Sequence, residues 1–158
     1  MKVSIRKGLG FGLTSGIITT LGLIVGLNSG THSKLVILGG ILVIAVADAF
    51  SDALGIHISE EAGDKTIKTN EIWETTISTF SFKLIFALSF IIPILLLKLQ
   101  TAIIISIIWG LSLLAVFSFY IAKQKNMNPI KSVIEHLVIA ILVIIITHFI
   151  GDLVAGFV

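Results

Sequence analysis

The chain has no cysteine, and only 13% of its 158 residues are charged. The first absence excludes disulfides, thiolate metal sites and cysteine nucleophiles, and it leaves the redox compartment open. The scarcity of charge excludes an ordinary soluble domain, in which about a quarter of the residues are charged. A net charge of +2 is too small to indicate nucleic acid as a partner. We therefore expect lipid to be the solvent for most of the protein surface.

The sequence contains long apolar stretches that charged residues would interrupt in a soluble protein. Hydrophobic residues make up 56% of the sequence, and the mean hydropathy is +1.10. A helix needs about 20 consecutive apolar residues to cross a hydrocarbon core of roughly 30 Å. Stretches of this length lie at 8–27, 35–58, 78–97, 101–122 and 133–157. The sequence thus predicts an all-α integral membrane protein, with one five-helix transmembrane domain over residues 1–158 and a short acidic connector at 59–77.

The basic residues predict how the bundle is oriented, because Lys and Arg near span ends are retained on the cytoplasmic side. If the N-terminus is cytoplasmic, nine of the 11 basic residues lie inside, and only Lys34 and Lys98 lie outside. The nine include Lys65 in the connector and Lys83 in the third stretch. Five spans then put the C-terminus outside and the connector in the cytoplasm. We expect a multi-pass protein of the plasma membrane.

Two aspartates stand in the second span, Asp48 and Asp52. A carboxylate at the membrane centre costs roughly 2.5–3.5 kcal/mol on insertion scales, so it rarely persists without a partner or a function. At positions i and i+4 the two acids share one helical face, and Ser51 adds another oxygen nearby. Such oxygens suit a hard divalent cation. They also suit a proton relay, because two close carboxylates do not both ionise cheaply. A structural role in hydrogen bonding to neighbouring helices stays open.

Further ionisable residues stand near both ends of the spans. The connector acids either concentrate cations before entry or form a solvated charged face; they are Glu60, Glu61, Asp64, Glu71 and Glu74. Glu135 and His136, at the inner end of the fifth span, are predicted to form a cytoplasmic vestibule. His148 and Asp152, again at i and i+4, lie near the outer boundary. This second pair is either an exit site or proton pair, or an interfacial anchor of the helix.

The first span is rich in glycine and also carries hydroxyl groups. Two small-xxx-small pairs occur, Gly12 with Gly16 and Gly22 with Gly26. This spacing lets two helix backbones approach closely in lipid, either within one subunit or in a homodimer through this span. Because the first span rises from the cytoplasm while the second descends, Thr14 and Ser15 should lie level with Asp52.

The first two spans resemble the vacuolar iron transporter family. Five positions match the signature A-G-A-x-S-M-x-x-G-E-Y-x-S, namely Ala47, Ala49, Ser51, Gly55 and Ser59. Gly12-Leu13-Thr14 is similar to that family's D-G-L-x-S opening. The chain departs from the pattern at three functional positions: Phe11 replaces the aspartate, Asp52 the methionine and Ile56 the glutamate.

The resemblance implies a dimeric transporter that exports Fe²⁺ or Mn²⁺ from the cytosol, in exchange for protons. The metal would be a substrate, and no tightly bound cofactor is expected. A carboxylate at position 52 in place of a thioether makes the site harder, which favours Mn²⁺, Mg²⁺ or protons. The alternative is a non-transporting membrane assembly protein built on glycine-rich helix packing. An enzyme is not expected, because the sequence has no catalytic triad, phosphate-loop or H-E-x-x-H motif.

Overall fold

The computed structural model describes residues 2–63 and 66–157, and within these ranges it contains helices and no strand. The helices are α1 (Val3–Thr31), α2 (Lys34–Ala62), α3 (Thr69–Ser89), α4 (Ile91–Leu96), α5 (Leu99–Gln124) and α6 (Pro129–Ala155). The short α4 continues α3 in the same span, so these residues form five spans long and apolar enough to cross a membrane. The predicted all-α, five-span fold class is confirmed.

The helices extend beyond the apolar stretches that predict them. α2 continues to Ala62 and α3 begins at Thr69, so helix takes up most of the predicted connector at 59–77. Asp64 and Lys65 lie outside the described residues. Backbone hydrogen bonding continues past the hydrocarbon boundary, whereas a hydropathy window detects only the apolar part of a helix.

Local residue chemistry explains where several helices begin and end. Ser33 precedes α2 and its side chain accepts a hydrogen bond from the Val36 amide. Asn128 caps α6 in the same way, and Pro129 occupies the first turn, where its missing N–H costs nothing. α1 ends at His32, whose left-handed backbone conformation, with φ of 50°, closes the last turn.

The third span is interrupted between α3 and α4. Pro93 has no N–H group, and its ring clashes with the carbonyl four residues before it, that of Ser89. The regular helix therefore stops at Ser89 and resumes at Ile91, with the fully buried Phe90 at the break.

α1 is the central helix of the bundle, because it packs on α2, α3, α5 and α6. In its most apolar window 61% of the residues are buried, against 11% for α6 at the periphery. Gly12 and Gly16 lie against the backbone of α3, whereas Gly22 and Gly26 lie against Thr147 of α6. Both predicted glycine pairs thus pack within the chain, so a homodimer through the first span would have to use other residues of α1.

Candidate functional site

A buried lysine lies between the two aspartates of α2. Lys83 of α3 has a side chain that is only 1% exposed, and its Nζ lies 2.5 Å from Asp48 Oδ2. The same ammonium group donates a hydrogen bond to Asp52 Oδ2 and another, of 2.8 Å, to Ser15 Oγ of α1. Three helices therefore contribute to one polar cluster inside the bundle. We call Ser15, Asp48, Asp52 and Lys83 the central cluster.

Small residues allow the helices of the central cluster to approach one another. A Cβ atom at Gly16 would lie 3.0 Å from the Lys83 carbonyl oxygen, so α1 passes close to α3 at this level. This approach brings Ser15 within reach of the ammonium group. On α2, Ala49 and Ala53, which follow the two aspartates in sequence, are buried against the rest of the bundle. Close backbone contact of this kind is what holds helices together in lipid.

The central cluster balances half of its own negative charge. With both carboxylates and the amine ionised, two negative charges meet one positive charge, and the cluster carries a net charge of −1. Mutual pairing lowers the cost of holding these ions inside a membrane. Asp48 Oδ2 is itself buried, and its contact with Lys83 is an ion pair without the alignment of a hydrogen bond. The remaining negative charge attracts cations to the cluster.

Access to the central cluster is one-sided. The Asp48 and Asp52 side chains are 25% and 20% exposed, whereas the ammonium group behind them is almost completely buried. The exposed part of the central cluster is therefore carboxylate rather than ammonium.

Lys83 is the member of the central cluster that sequence reasoning missed. The charge pattern predicts Lys83 on the cytoplasmic side, but its side chain is buried inside the bundle, so its charge carries no weight for orientation. A lysine deep in an apolar span, opposite a span with two aspartates, was the signal that could have identified the pair.

Ser15 lies at the predicted level of Asp52. Ser51 is exposed and is not among the residues that bond to Lys83.

At the opposite end of the bundle from the N-terminus, Asp152 joins α6 to α1. Its Oδ1 accepts a hydrogen bond from Ser29, and its Oδ2 lies 3.5 Å from His148 Nε2. The side chains of His148 and Asp152 are 52% and 53% exposed. The predicted i,i+4 pair therefore forms, with Ser29 as an additional partner, at a half-exposed position rather than in a buried channel.

The acids near the N-terminal end are bonded mainly to basic residues. Lys7 Nζ lies 3.0 Å from Glu60 Oε1, and Glu74 accepts hydrogen bonds from Lys2 and Ser4. The hydrogen bond from Lys2 to Glu74 raises the pKa of the lysine. These residues line a cavity of about 600 Å³. Glu60 and Glu74 are thus engaged by lysines rather than free to hold a metal together.

In the described part of the connector, the other acids do not gather into a metal site. Glu61 lies 3.4 Å from His57 Nε2, and Glu71 is exposed on the first turn of α3. Asp64 is outside the residues whose structure is described. Across residues 2–63 and 66–157, no three His, Asp or Glu side chains are placed to bind one ion. The predicted capture role of the connector acids stays a prediction.

A cleft of about 510 Å³ separates α2 from α5 and α6 on one side of α1, near the N-terminal end. His136 lines this cleft and its Nδ1 lies 2.7 Å from Ser118 Oγ, and its role in a cytoplasmic vestibule stays a prediction. Phe11, at the position of the resembled family's aspartate, also lines this cleft and is half exposed. Glu135 is exposed instead, 3.8 Å from Lys131 on its own helix.

Comparison with known proteins identifies the family. The profile of the VIT family matches residues 52–152, which is 101 of the 158 residues. The match begins at Asp52 and includes Lys83, whereas the motif resemblance above lies mostly before it. No curated protein matches the chain significantly. The five apolar spans and this match agree on a multi-pass integral membrane protein. The chain belongs to the VIT family, the vacuolar iron transporters, whose activity is the transport of metal ions across membranes.

Proposed function

We propose that the chain exports a divalent cation, Fe²⁺ or Mn²⁺, from the cytosol, and that Asp48 and Asp52 are its central intramembrane ligands. The observation that supports this proposal is the central cluster. Carboxylate and hydroxyl oxygens from α1 and α2 converge there on one positively charged group, the Lys83 ammonium. Oxygens that hold one cation inside a membrane are chemically suited to hold another.

The donor set supports a hard cation. Asp48, Asp52 and Ser15 offer only oxygen, and the chain has no cysteine to offer sulfur. Carboxylate and hydroxyl oxygens suit Mn²⁺ better than they suit soft metals. Mn²⁺ also resists oxidation in air better than Fe²⁺, so it is the more practical probe of the site.

Exchange for protons is the coupling that we propose. A histidine beside a carboxylate can accept and release protons near neutral pH. His148 and Asp152 form such a pair at the end of the bundle that we predict to face outside, and their half-exposed side chains are open to solvent.

We also propose the plasma membrane as the location. A second copy of the chain is a proposed partner, with the exposed Phe11 region of α1 as the contact.

Mn²⁺ flux into proteoliposomes tests the proposal, with and without a pH gradient. We expect Asp48→Asn and Asp52→Asn each to reduce the flux at least tenfold, because even residues that merely support a metal ligand contribute about 10–100-fold. Lys98→Met is the control, since it removes a charge in an exposed connection outside the central cluster. Its flux should equal that of the wild type.

Two results would contradict the proposal. One is a wild-type protein that moves neither Mn²⁺ nor Fe²⁺ under any gradient, which would favour the assembly protein as the alternative. The other is full flux in both aspartate variants, which would place the ligands elsewhere.

A further inference from the structure

Lys83 and a metal ion would compete for the same oxygen atoms. The ammonium group contacts both aspartates of the central cluster and the Ser15 hydroxyl. A divalent cation that takes Asp48 Oδ2, Asp52 Oδ2 and Ser15 Oγ as ligands, at about 2.0–2.6 Å, would have to occupy the place of Nζ. Two positive groups cannot share that space without strong repulsion. We infer that Lys83 is a tethered competitor, a built-in cation that holds the site until a metal ion displaces it.

This inference rests on the proposed function only for the identity of the competing ion. The competition itself follows from the geometry. The lysine is attached to α3, whereas both carboxylates belong to α2 and the hydroxyl to α1. Its flexible four-carbon stem can therefore withdraw the ammonium group without moving the ligands. In the described part of the chain, Asp48 and Asp52 are the charged groups that contact Lys83, and α4 offers no charged residue.

A tethered competitor lowers the affinity for the metal ion and raises the rate of its release. A group attached next to its site acts at an effective concentration of roughly millimolar or more. It weakens the apparent affinity for the free ion, and it takes back the oxygens as the ion leaves, which speeds release. Transport needs that release step. Loss of Lys83 should therefore tighten metal binding and slow metal flux, whereas loss of a merely structural residue would weaken both.

The test compares Mn²⁺ affinity and Mn²⁺ flux in the purified full chain. Affinity is read from the electron paramagnetic resonance signal of free Mn²⁺ in detergent solution. We expect Lys83→Met to bind Mn²⁺ at least tenfold more tightly than the wild type, and to carry it at least tenfold more slowly at saturation. Lys83→Arg keeps the positive charge and should keep the weak affinity. Lys98→Met, in an exposed connection, should change neither quantity.

A second pair of variants keeps the test decisive if the Lys83→Met protein fails to fold, since that change leaves two carboxylates without their partner. The double variant Lys83→Met with Asp48→Asn has the same net charge in the cluster as the wild type. It should bind Mn²⁺ more tightly than Asp48→Asn alone, which retains the ammonium group. Equal or weaker binding in both Lys83→Met proteins, relative to their lysine-containing parents, would overturn the inference. Absence of wild-type flux would refute the proposed function instead, and the affinity comparison would still decide the role of Lys83.

Discussion

Gly12→Ala is expected to destabilise the bundle strongly, whereas Gly39→Ala should leave its stability almost unchanged. A Cβ atom at Gly12 would lie 2.5 Å from the Thr79 carbonyl oxygen and 3.1 Å from the Lys83 amide nitrogen. Both atoms belong to the backbone of α3, so no side-chain rotation can relieve the clash. Overpacking of this kind costs about 3 kcal/mol at the upper end of its usual range. At Gly39 a Cβ atom would meet nothing within 4 Å.

Thermal unfolding in detergent, followed by tryptophan fluorescence, measures both effects. The Gly12→Ala protein should unfold at a much lower temperature than the wild type. The Gly39→Ala protein should unfold at the wild-type temperature or slightly above it. Gly151→Ala is a second test of tight packing, because its Cβ atom would overlap the Gly26 carbonyl oxygen of α1. Wild-type unfolding temperatures for both Gly12→Ala and Gly151→Ala would show that α1 does not pack on α3 and α6 as described.

Lys83→Met is expected to lower the free energy of unfolding by about 3–5 kcal/mol, the usual cost of removing one partner from a buried ion pair. The lysine is 1% exposed, so water screens the pair little from that side. Asp48 and Asp52 are partly exposed, which favours the lower part of this range. Adding Asp48→Asn should recover part of the loss, because it removes one of the two unpaired carboxylates.

Mn²⁺ should raise the free energy of unfolding of the Lys83→Met protein more than it raises that of the wild type. At a given concentration, a ligand that binds only the folded state stabilises it more the more tightly it binds, and we expect tighter binding once Lys83 is gone. Chemical unfolding with and without Mn²⁺ measures the difference, with Lys98→Met as the control for loss of a lysine. A Lys83→Met protein as stable as the wild type, and indifferent to Mn²⁺, would contradict an ion pair at this position.

The features that sequence could predict are those carried by one helix at a time. The five spans follow from hydropathy, because the length of an apolar stretch is fixed by the membrane it crosses. The shared face of Asp48 and Asp52 follows from helical periodicity alone, as does the contact between His148 and Asp152. Depth along antiparallel helices was enough to place Ser15 level with Asp52.

The features that sequence could not predict depend on how helices rotate against one another. Ser51 precedes Asp52 by one residue, so it lies about 100° around α2 and is exposed. Lys83 stands near the start of the apolar stretch 78–97, so the charge pattern predicts a cytoplasmic position for it. Only the packing of α3 against α2 shows that its ammonium group meets the aspartates. The small-xxx-small pattern indicates close packing, but it does not say that the partners are α3 and α6.

The most direct test of the central claim is the position of the bound metal ion. Anomalous diffraction at the manganese absorption edge, from crystals grown with Mn²⁺, locates the ion independently of any activity. We predict a peak within coordination distance of Asp48 and Asp52, with the Lys83 ammonium withdrawn from both carboxylates. A peak at another place, while Lys83 still bridges the two aspartates, would contradict the account.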